Sequence, residues 1–512
     1  MMRAGSEENV MSGCRCLRLE YEYAKPGPHI RMPNDDQPEP LVPVLIDQER
    51  KEAEALFFRG NQCMQNGDDA GAEACFRQAV QLAPDFAEAH ANLGLLLERT
   101  GDPENAEACY WRSIALNPAY AETHLNLGAL LAQRKRFKEA ELAYMQAIML
   151  RQDSPTGWSN LGVLYACTKR EVEAEQCYRT ALSLDPSWSK ARFNLSYLLL
   201  RQGRFDEGWE CLGARNWFPA FVRQLDCPPW QGELLAGKSV LIGYEAGHGD
   251  MIQFCRYAAV LKEQGAASIT LVCHPALKVL FASVAGVDSV VTLDEPLPSS
   301  GWDVWTLPMS IPRYCKTRID TIPACIPYLH VPESLIRKWA ALIPDGGLRV
   351  GLVWKGNPNF ENDAERSLPS LDLLAPLGEV GGVHLCSLQK GAGEAEALQP
   401  PAGMQLTHIG SQLADFADTA AALMNFDLLI CVDTAVAHLA GALGRPCWVL
   451  LPDYKTDWRW LTGRADSPWY PGVMRLFRQP AAGDWGPVVA EVAAALELWR
   501  QQKLVGAAPD KV

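Results

Sequence analysis

Residues 429–452, LICVDTAVAHLAGALGRPCWVLLP, decide the fold of the C-terminal half of the chain. An apolar run of strand length ends at Asp433, a helix of small residues extends to Gly444, and a second apolar run follows. This order is that of a βαβ unit, which predicts a parallel sheet with helices packed on its faces.

The turn of this βαβ unit is a candidate ligand site. Asp433 and Thr434 follow the carboxyl end of a strand and begin a helix, where backbone N–H groups and the helix dipole favour a phosphate. His438 comes four residues after Thr434 and shares that helix face. A helix N-cap without any ligand explains Asp433 and Thr434 equally well, so both interpretations stay open at this point.

The composition is that of folded domains and narrows the class of protein. The 512 residues are 48% hydrophobic and 21% charged, which supplies more than one core. The net charge of −14 argues against a nucleic-acid binder with a general basic surface, although a local basic pocket is allowed. Sixteen cysteines without repeated CxxC pairs predict neither a zinc site nor a disulfide framework, and they suit a reducing compartment.

The two ends of the chain carry little periodicity. Residues 1–50 mix Gly, Pro and acidic residues, which predicts a flexible lead-in, and residues 501–512 form a tail. The N-terminus lacks the apolar core of a signal peptide, and no apolar run reaches the length of a membrane span. We therefore expect a cytoplasmic protein without a transmembrane segment.

Residues 51–217 repeat with a period of 34. The glycines that share this spacing are Gly60, Gly94, Gly128 and Gly162. The alanines and aromatics at the same step are Ala72, Ala106, Ala140 and Ala174, and Phe76, Tyr110, Tyr144 and Tyr178. Small residues let two helices approach closely, and the aromatic fills the gap to the next repeat. The pattern resembles the tetratricopeptide repeat, in four copies and a degenerate fifth.

Solenoids of such repeats have a concave groove that accepts a peptide or protein. Asparagines recur at one position of the first helices and are predicted to line this groove: Asn92, Asn126, Asn160 and Asn194. Amide side chains match the N–H and C=O groups of an extended peptide. The alternative is that the repeats only support or oligomerise the next domain.

Residues 228–345 predict a first α/β half. An apolar strand over 239–244 leads into a glycine-containing turn, with Gly247, His248, Gly249 and Asp250 before a helix. Backbone N–H groups of such a turn could seat a phosphate or a sugar. The turn is neither the GxGxxG fingerprint nor a P-loop. Asp250 is either a functional carboxylate or only an N-cap.

Residues 346–500 predict a second α/β half. The polar side chains that follow its first strands are Lys355, Asn357, Arg366 and Gln389. A lysine at a strand end and an arginine at the end of a polar loop are suitable partners for a diphosphate, with solvated surface charge as the alternative. Aromatic and charged residues over 457–460 and 466–470 indicate either a site wall or ordinary loop packing.

Two α/β halves in tandem, each with a polar turn after its first strand, look like a GT-B glycosyltransferase. The segments GHGDMIQF, GLVWKGNP and VDTAVAHLAGALGRPCWVLLP resemble glycosyltransferase family 9, the heptosyltransferase-like group, over residues 238–500. The residues WRW, DSPWYP and RLFRQ within 458–479 resemble those of bacterial proteins that carry tetratricopeptide repeats ahead of such a domain. The expected fold is an α-helical repeat solenoid followed by an α/β GT-B-like domain of two Rossmann-like halves. The resemblance implies that the first half is on the acceptor side and the second on the nucleotide-sugar side.

The resemblance also implies roles for single residues. Asp250 matches the general base that takes the proton of an acceptor hydroxyl. Lys355 matches a cation that meets the donor phosphates. The segment DTAVAH places backbone N–H groups, Thr434 and His438 near the diphosphate, although Ala435 stands where the family has glycine. The fold implies no metal and no cofactor other than a nucleoside-diphosphate sugar as co-substrate.

The leading hypothesis is a glycosyltransferase that moves a sugar from a nucleoside diphosphate to a protein acceptor recruited by the repeats. One alternative is a non-catalytic repeat scaffold with a degenerate transferase domain. Another is a heptosyltransferase-like enzyme of surface-glycan synthesis, in which the repeats serve only assembly. The intact set of candidate site residues favours an enzyme over a scaffold.

Overall fold

The structure is a computed structural model that describes residues 41–215, 223 and 225–506. It divides into two compact units, and the division falls between Leu195 and Ser196. We call the described residues up to Leu195 the repeat unit and those from Ser196 the α/β unit. The lead-in predicted for residues 1–50 lies outside the described residues as far as residue 40, and the tail is described only to residue 506.

The repeat region consists of helical pairs that follow the period of 34. Its helices are α1 (Leu41–Gln65), α2 (Asp69–Leu82), α3 (Ala87–Arg99), α4 (Pro103–Leu116), α5 (Ala121–Gln133), α6 (Phe137–Leu150), α7 (Pro155–Cys167), α8 (Glu171–Leu184), α9 (Ser189–Arg201) and α10 (Phe205–Leu212). The predicted helical solenoid is thereby confirmed. The helix α1 begins inside the predicted lead-in, and it tolerates Pro43 because an N–H in the first turn has no intrahelical partner.

The recurring glycines and aromatics contact each other within one repeat, whereas the aromatic was predicted to fill the gap to the next repeat. A Cβ atom added at Gly128 would lie 2.7 Å from the ring of Tyr144, and one added at Gly94 would lie 2.8 Å from Tyr110. Contacts this short leave no room for any side chain at the glycine. The period of 34 therefore records a close approach of the two helices within each repeat.

A second repeated feature closes each helical pair. Side chains spaced by 34 residues donate to the carbonyl six residues earlier: His90 to Pro84, His124 to Pro118, Trp158 to Gln152, and Arg192 to Pro186. The third repeat lacks the proline but keeps the bond. The repeats thus share a side-chain donor and a backbone carbonyl at this point. Both groups need a hydrogen-bond partner when they are partly buried.

The α/β unit contains two parallel sheets. The strands are β1 (Ser239–Ile242), β2 (Ser268–Cys273), β3 (Ser289–Thr292), β4 (Val304–Thr306), β5 (Leu348–Val353), β6 (Val383–Ser387), β7 (Leu406–His408), β8 (Leu428–Val432), β9 (Cys447–Leu451) and β10 (Met474–Arg478). The helices are α11 (His248–Phe254), α12 (Tyr257–Glu263), α13 (Lys278–Phe281), α14 (Ile311–Tyr314), α15 (Glu333–Ala340), α16 (Asp363–Arg366), α17 (Glu394–Ala397), α18 (Phe416–Leu423), α19 (Ala435–Ala442) and α20 (Gly486–Gly506).

The strand orders are β3-β2-β1-β4 in the first sheet and β7-β6-β5-β8-β9-β10 in the second, and all neighbouring strands are parallel. Counted from β5, the second sheet has the doubly wound order 3-2-1-4-5-6. The order reverses between β1 and β4 in one sheet and between β5 and β8 in the other. In open parallel sheets a crevice forms beyond the strand ends at such a reversal.

The predicted elements and the observed ones differ in several places. The single helix predicted after the turn with Asp250 is split into α11 and α12, and the strands β7 and β10 were not predicted. The last helix of the predicted repeats, α10, belongs to the α/β unit. Its Trp209 indole N–H donates to the Thr317 carbonyl at 2.9 Å, and its Phe205 ring stacks on Trp469. These aromatic contacts explain why the division precedes α10.

Candidate functional site

The glycine-containing turn after β1 packs directly on helix α19, which follows β8. A Cβ atom added at Gly249 would lie 2.9 Å from Cδ2 of His438 and 3.3 Å from Cα of Ala435. The glycine is thus needed for this close approach. The structure therefore brings together the predicted acceptor turn, 247–250, and the predicted phosphate turn, 433–438, although they are far apart in sequence.

Asp250 is buried in this contact and already has hydrogen-bond partners. Its Oδ2 accepts from the backbone N–H of Gly247 at 2.8 Å. Its Oδ1 accepts from Nη2 of Arg459 in an ion pair whose side chains are 10% and 3% exposed. Asp250 therefore also caps its helix, as the simpler interpretation of the sequence holds.

Arg459 is the residue that the sequence analysis missed. Its Nε donates to Oε1 of Gln253 at 2.7 Å, and its Nη1 donates to both carboxylate oxygens of Asp457 at 3.0 Å. It comes from the loop after β9, whereas Asp250 and Gln253 belong to α11. The only signal in the sequence was the aromatic and charged composition of residues 457–460.

A second arginine links the same two regions. Arg256, between α11 and α12, donates to the Trp469 carbonyl at 2.8 Å and to the Tyr328 hydroxyl at 2.8 Å. Its guanidinium also lies 4.8 Å from the ring centroid of Tyr470. Since Arg256 is buried, these contacts replace the water that its charge has lost.

The N-terminus of α19 has no side-chain cap. Thr434 occupies the N-cap position, but its side chain makes no capping hydrogen bond. Its hydroxyl is buried, and it has no hydrogen-bond partner among the described residues. Two buried polar atoms of α11 are in the same condition, Nε2 of His248 and Nε2 of Gln253. Such atoms are rare in folded proteins and indicate where a ligand or an ordered water binds.

The ionisable groups around α19 are shifted by their surroundings. Burial and the neighbouring Asp457 raise the pKa of the Asp433 carboxyl to about 6, against the opposing charges of Arg366 and Arg459. Burial, and then the same two arginines among others, lowers the pKa of His438 well below its usual range. His438 is therefore a neutral imidazole.

The imidazoles of the site are fixed by aromatic neighbours. Nδ1 of His438 lies 3.0 Å from the Tyr470 hydroxyl, and its ring stacks on Trp460. His248 stacks on Phe416, and burial lowers its pKa to about 4. The aromatic loops after β9 thus form a wall against α19.

The polar side chains predicted at the end of β5 have other partners. Nζ of Lys355 forms an ion pair with Glu396. The amide of Gln389 accepts from the Trp354 and Lys355 N–H groups and donates to the Lys355 carbonyl at 3.0 Å. Asn357 is exposed and accepts from a backbone N–H in its own turn. The described bonds of Lys355 and Gln389 thus lie within the chain at the strand end, and contact of these residues with donor phosphates stays a prediction.

Arg366 is the predicted donor-side cation that lies near Asp433. Its Nη2 would be 2.6 Å from a Cβ atom added at Gly356, so its guanidinium covers the end of β5. It pairs with Asp363 at 3.0 Å and lies 4.2 Å from the Phe360 ring centroid. The positive charge of Arg366 favours the ionised carboxylate of Asp433 and so opposes the effect of Asp457 on its pKa.

The four asparagines predicted to line the groove are buried instead. Asn92, Asn126, Asn160 and Asn194 are at most 1% exposed. Nδ2 of Asn92 donates to Oδ1 of Asn61 at 2.6 Å, so its amide is used within the solenoid. The prediction of an exposed amide row is wrong, because the helix face that carries these residues is covered.

Two family models match the repeat region. The middle tetratricopeptide-like domain of cilia and flagella-associated protein 70 matches residues 61–173, and a tetratricopeptide repeat model matches residues 173–208. The N-terminal part of the chain thus consists of tetratricopeptide repeats, a class that suggests a scaffold for protein interactions.

A relative among curated proteins is Protein FlbA of Caulobacter vibrioides. It is 26% identical over 336 residues, which cover 60% of this chain and 54% of FlbA. The chain therefore spans about half the length of this relative.

Solved structures similar to the chain cover about a third of it. The pilF protein of Pseudomonas aeruginosa is 20% identical, with 35% of this chain and 82% of that chain covered and a TM-score of 0.32. MamA of Desulfovibrio magneticus is 18% identical, with 32% and 90% covered and a TM-score of 0.28. Separately, none of the described helices combines the length and apolar character needed to cross a membrane.

Proposed function

We propose that the α/β unit is a metal-independent glycosyltransferase, which moves a sugar from a nucleoside diphosphate to an acceptor. The observation that carries the proposal is the contact of the Asp250 turn with α19, measured at Gly249 and Ala435. This contact sets a carboxylate beside a helix N-terminus, at the strand ends of two parallel sheets. A sugar transfer needs those two groups at one place.

The donor side of the proposal depends on α19. Its N-terminus favours an anion, and the unpaired Thr434 hydroxyl can donate to a phosphate oxygen. Arg366 adds positive charge, and neutral His438 can donate without a net charge of its own. The departing nucleoside diphosphate gains negative charge as the anomeric C–O bond breaks, so these donors stabilise the transition state.

The acceptor side depends on Asp250. An acceptor hydroxyl attacks the anomeric carbon, the bond to the diphosphate breaks, and the hydroxyl proton passes to the Asp250 carboxylate. Arg459 and the Gly247 N–H orient this carboxylate through the bonds that each makes to one of its oxygens.

The repeats suit a protein acceptor. Tetratricopeptide repeats suggest a role in protein interactions, and the repeat unit precedes the α/β unit on one chain. We propose that they recruit the protein to be glycosylated. A heptosyltransferase-like role in surface-glycan synthesis predicts instead transfer to an oligosaccharide acceptor.

Calorimetry with ADP, GDP, UDP and their sugars tests the donor site. We expect one nucleotide to bind, and Thr434→Val to weaken binding because one hydrogen bond is lost. The control Thr180→Val removes an exposed hydroxyl of the repeat unit. Asp250→Asn should keep nucleotide binding and lose transfer to protein. Transfer that persists in Asp250→Asn would contradict the assignment of the base.

A second candidate, a non-catalytic scaffold, is favoured by one observation. The cation Lys355 and the carboxylate Asp250 are both paired within the chain, with Glu396 and Arg459. A protein that catalyses nothing has no need of free groups at these positions. The scaffold predicts that the folded protein binds none of the nucleotides.

A further inference from the structure

A cavity of about 400 Å³ lies between α10 and the end of β4, within the α/β unit. Its volume falls at the small end of the range for ligand sites. Six of the lining residues carry the argument: Trp209, Arg215, Trp230, Trp305, Thr306 and Tyr314. We propose that this cavity binds a tyrosine-like side chain, a phenol ring with one hydroxyl, on the acceptor protein.

The walls of the cavity are aromatic and have few unpaired polar atoms. The indole N–H of Trp209 donates to the Thr317 carbonyl at 2.9 Å, and that of Trp230 donates to the Glu233 carbonyl at 2.8 Å. Trp230 also meets Tyr314 edge to face, with ring centroids 5.1 Å apart. Trp209 and Trp230 are buried, so the aromatic surface open to an occupant is that of the half-buried Trp305 and Tyr314, which suits another aromatic ring.

Two of the three arginines that line the cavity are paired with carboxylates of the chain, and the third, Arg223, is exposed. Arg215 makes two hydrogen bonds to the Glu245 carboxylate, at 2.5 and 3.1 Å, and both side chains are buried. Arg313 pairs with Glu210, from Nε at 2.9 Å. A bound anion would have to compete with these carboxylates for Arg215 and Arg313.

Among the described residues of the lining, Thr306 has a buried polar atom without a hydrogen-bond partner. The Thr306 hydroxyl, 2% exposed by residue, has no hydrogen-bond partner among the described residues. A phenol hydroxyl would satisfy it while the phenol ring packs on the indoles. A sugar ring carries several hydroxyls and would need more partners, and the further polar lining residues Arg223 and Gln231 are exposed at the rim.

The cavity adjoins the candidate base. Met309 lines the cavity, and its Sδ lies 3.7 Å from Nη2 of Arg459, the atom that donates to Asp250. An acceptor side chain in the cavity would therefore hold its neighbouring residues close to Asp250. The inference rests on the proposed function only in that the bound protein is called an acceptor. Binding of the phenol ring in the cavity does not depend on catalysis.

The test measures binding of p-cresol, an analogue of the tyrosine side chain, to the full chain by saturation-transfer NMR. We expect p-cresol to bind, Thr306→Val to weaken it about 5-fold through loss of one neutral hydrogen bond, and Thr306→Ser to retain it. Tyr314→Ala, at a half-buried wall residue, should also weaken it. Methyl β-D-glucopyranoside, the carbohydrate probe, should bind more weakly than p-cresol.

Three results would overturn the inference: no p-cresol binding to folded protein, binding that none of the variants changes, or stronger binding of the glucoside. Thermal denaturation shows whether each variant is folded. Nucleotide binding measured on the same samples separates this inference from the proposed function. A protein that binds p-cresol but none of the nucleotides would count against the proposed transferase and leave the inference about the cavity intact.

Discussion

The guanidinium of Arg459, in the loop after β9, donates to the carboxylate of Asp250, in the helix α11 that follows β1. Both side chains are buried, and Gln253 and Asp457 occupy the other donors of Arg459. A buried charge that loses its partner is costly because water cannot replace the partner. The ion pair therefore has two roles. It links the region of the first sheet to that of the second, and it orients the Asp250 carboxylate, the candidate base.

Arg459→Met should destabilise the protein by about 3–5 kcal/mol, since it leaves Asp250 buried without its partner. The measurement is chemical denaturation. Arg464→Met is the matched control, because Arg464 pairs with Asp466 on the surface and such pairs contribute less than about 1 kcal/mol. Adding Asp250→Asn to Arg459→Met should recover part of the loss. Equal effects of the two arginine variants would contradict the buried role of Arg459.

Gly249→Ala should separate the Asp250 turn from α19 and weaken nucleotide binding. The added Cβ would lie 2.9 Å from His438 and 3.3 Å from the backbone of Ala435, so one of the two elements must shift. Gly381→Ala is the control, because nothing lies within 4 Å of a Cβ at that position. Calorimetry and the melting temperature should be unchanged in the control. A Gly249→Ala protein with normal affinity and stability would show that the contact is loose.

Asp433→Asn should raise the melting temperature at pH 7.5 and have no such benefit at pH 4. Burial first, and then Asp457, raises the folded-state pKa of Asp433 to about 6, above the value of about 3.9 in an unfolded chain. The folded state therefore binds this proton more tightly, and stability from this group falls as the pH rises towards 6. Asp345→Asn, at an exposed position, serves as the control. A gain of equal size at both pH values would refute the explanation.

Replacing His90 and His124 together by tryptophan should reduce the loss of stability in acid. Burial lowers the pKa of both imidazoles, so the unfolded chain takes up the proton first as the pH falls below about 6.5. Their contribution is complete above that pH and is lost below it. Tryptophan is the donor that the third repeat uses, at Trp158, and it does not titrate. Melting temperatures at pH 7.5 and 5.5 measure the effect, which should be smaller in the double variant than in the native chain.

The helices and strands could be predicted because their signals are local. The close contact between two helices requires glycine at positions such as Gly94 and Gly128, and the buried strand β8 requires a run of apolar residues. Both patterns can be read from a short stretch of sequence. The turn at Asp433 and Thr434 could be predicted for the same reason, because it lies between an apolar strand and a helix. The strands β7 and β10 were not predicted, because neither presents a long apolar run.

The partners of charged groups could not be predicted in this way. Arg459 and Asp250 are 209 residues apart, and no local pattern connects them. Lys355 has the sequence context of a phosphate ligand, but Glu396 lies within reach once β5 and α17 are folded. Asn126 repeats at the period of the solenoid, which fixes its helix face but does not show what covers that face.

The contact between α11 and α19 determines how a ligand can reach Thr434. A hinge motion that parted the two sheets would break the Arg459 ion pair and the buried bonds of Arg256, and whole proteins are stable by only about 5–15 kcal/mol. Movement of surface loops breaks fewer buried contacts and commonly controls substrate access and product release. Ligand exchange at Thr434 should therefore depend on loops such as residues 357–362, while the two sheets stay together as one body.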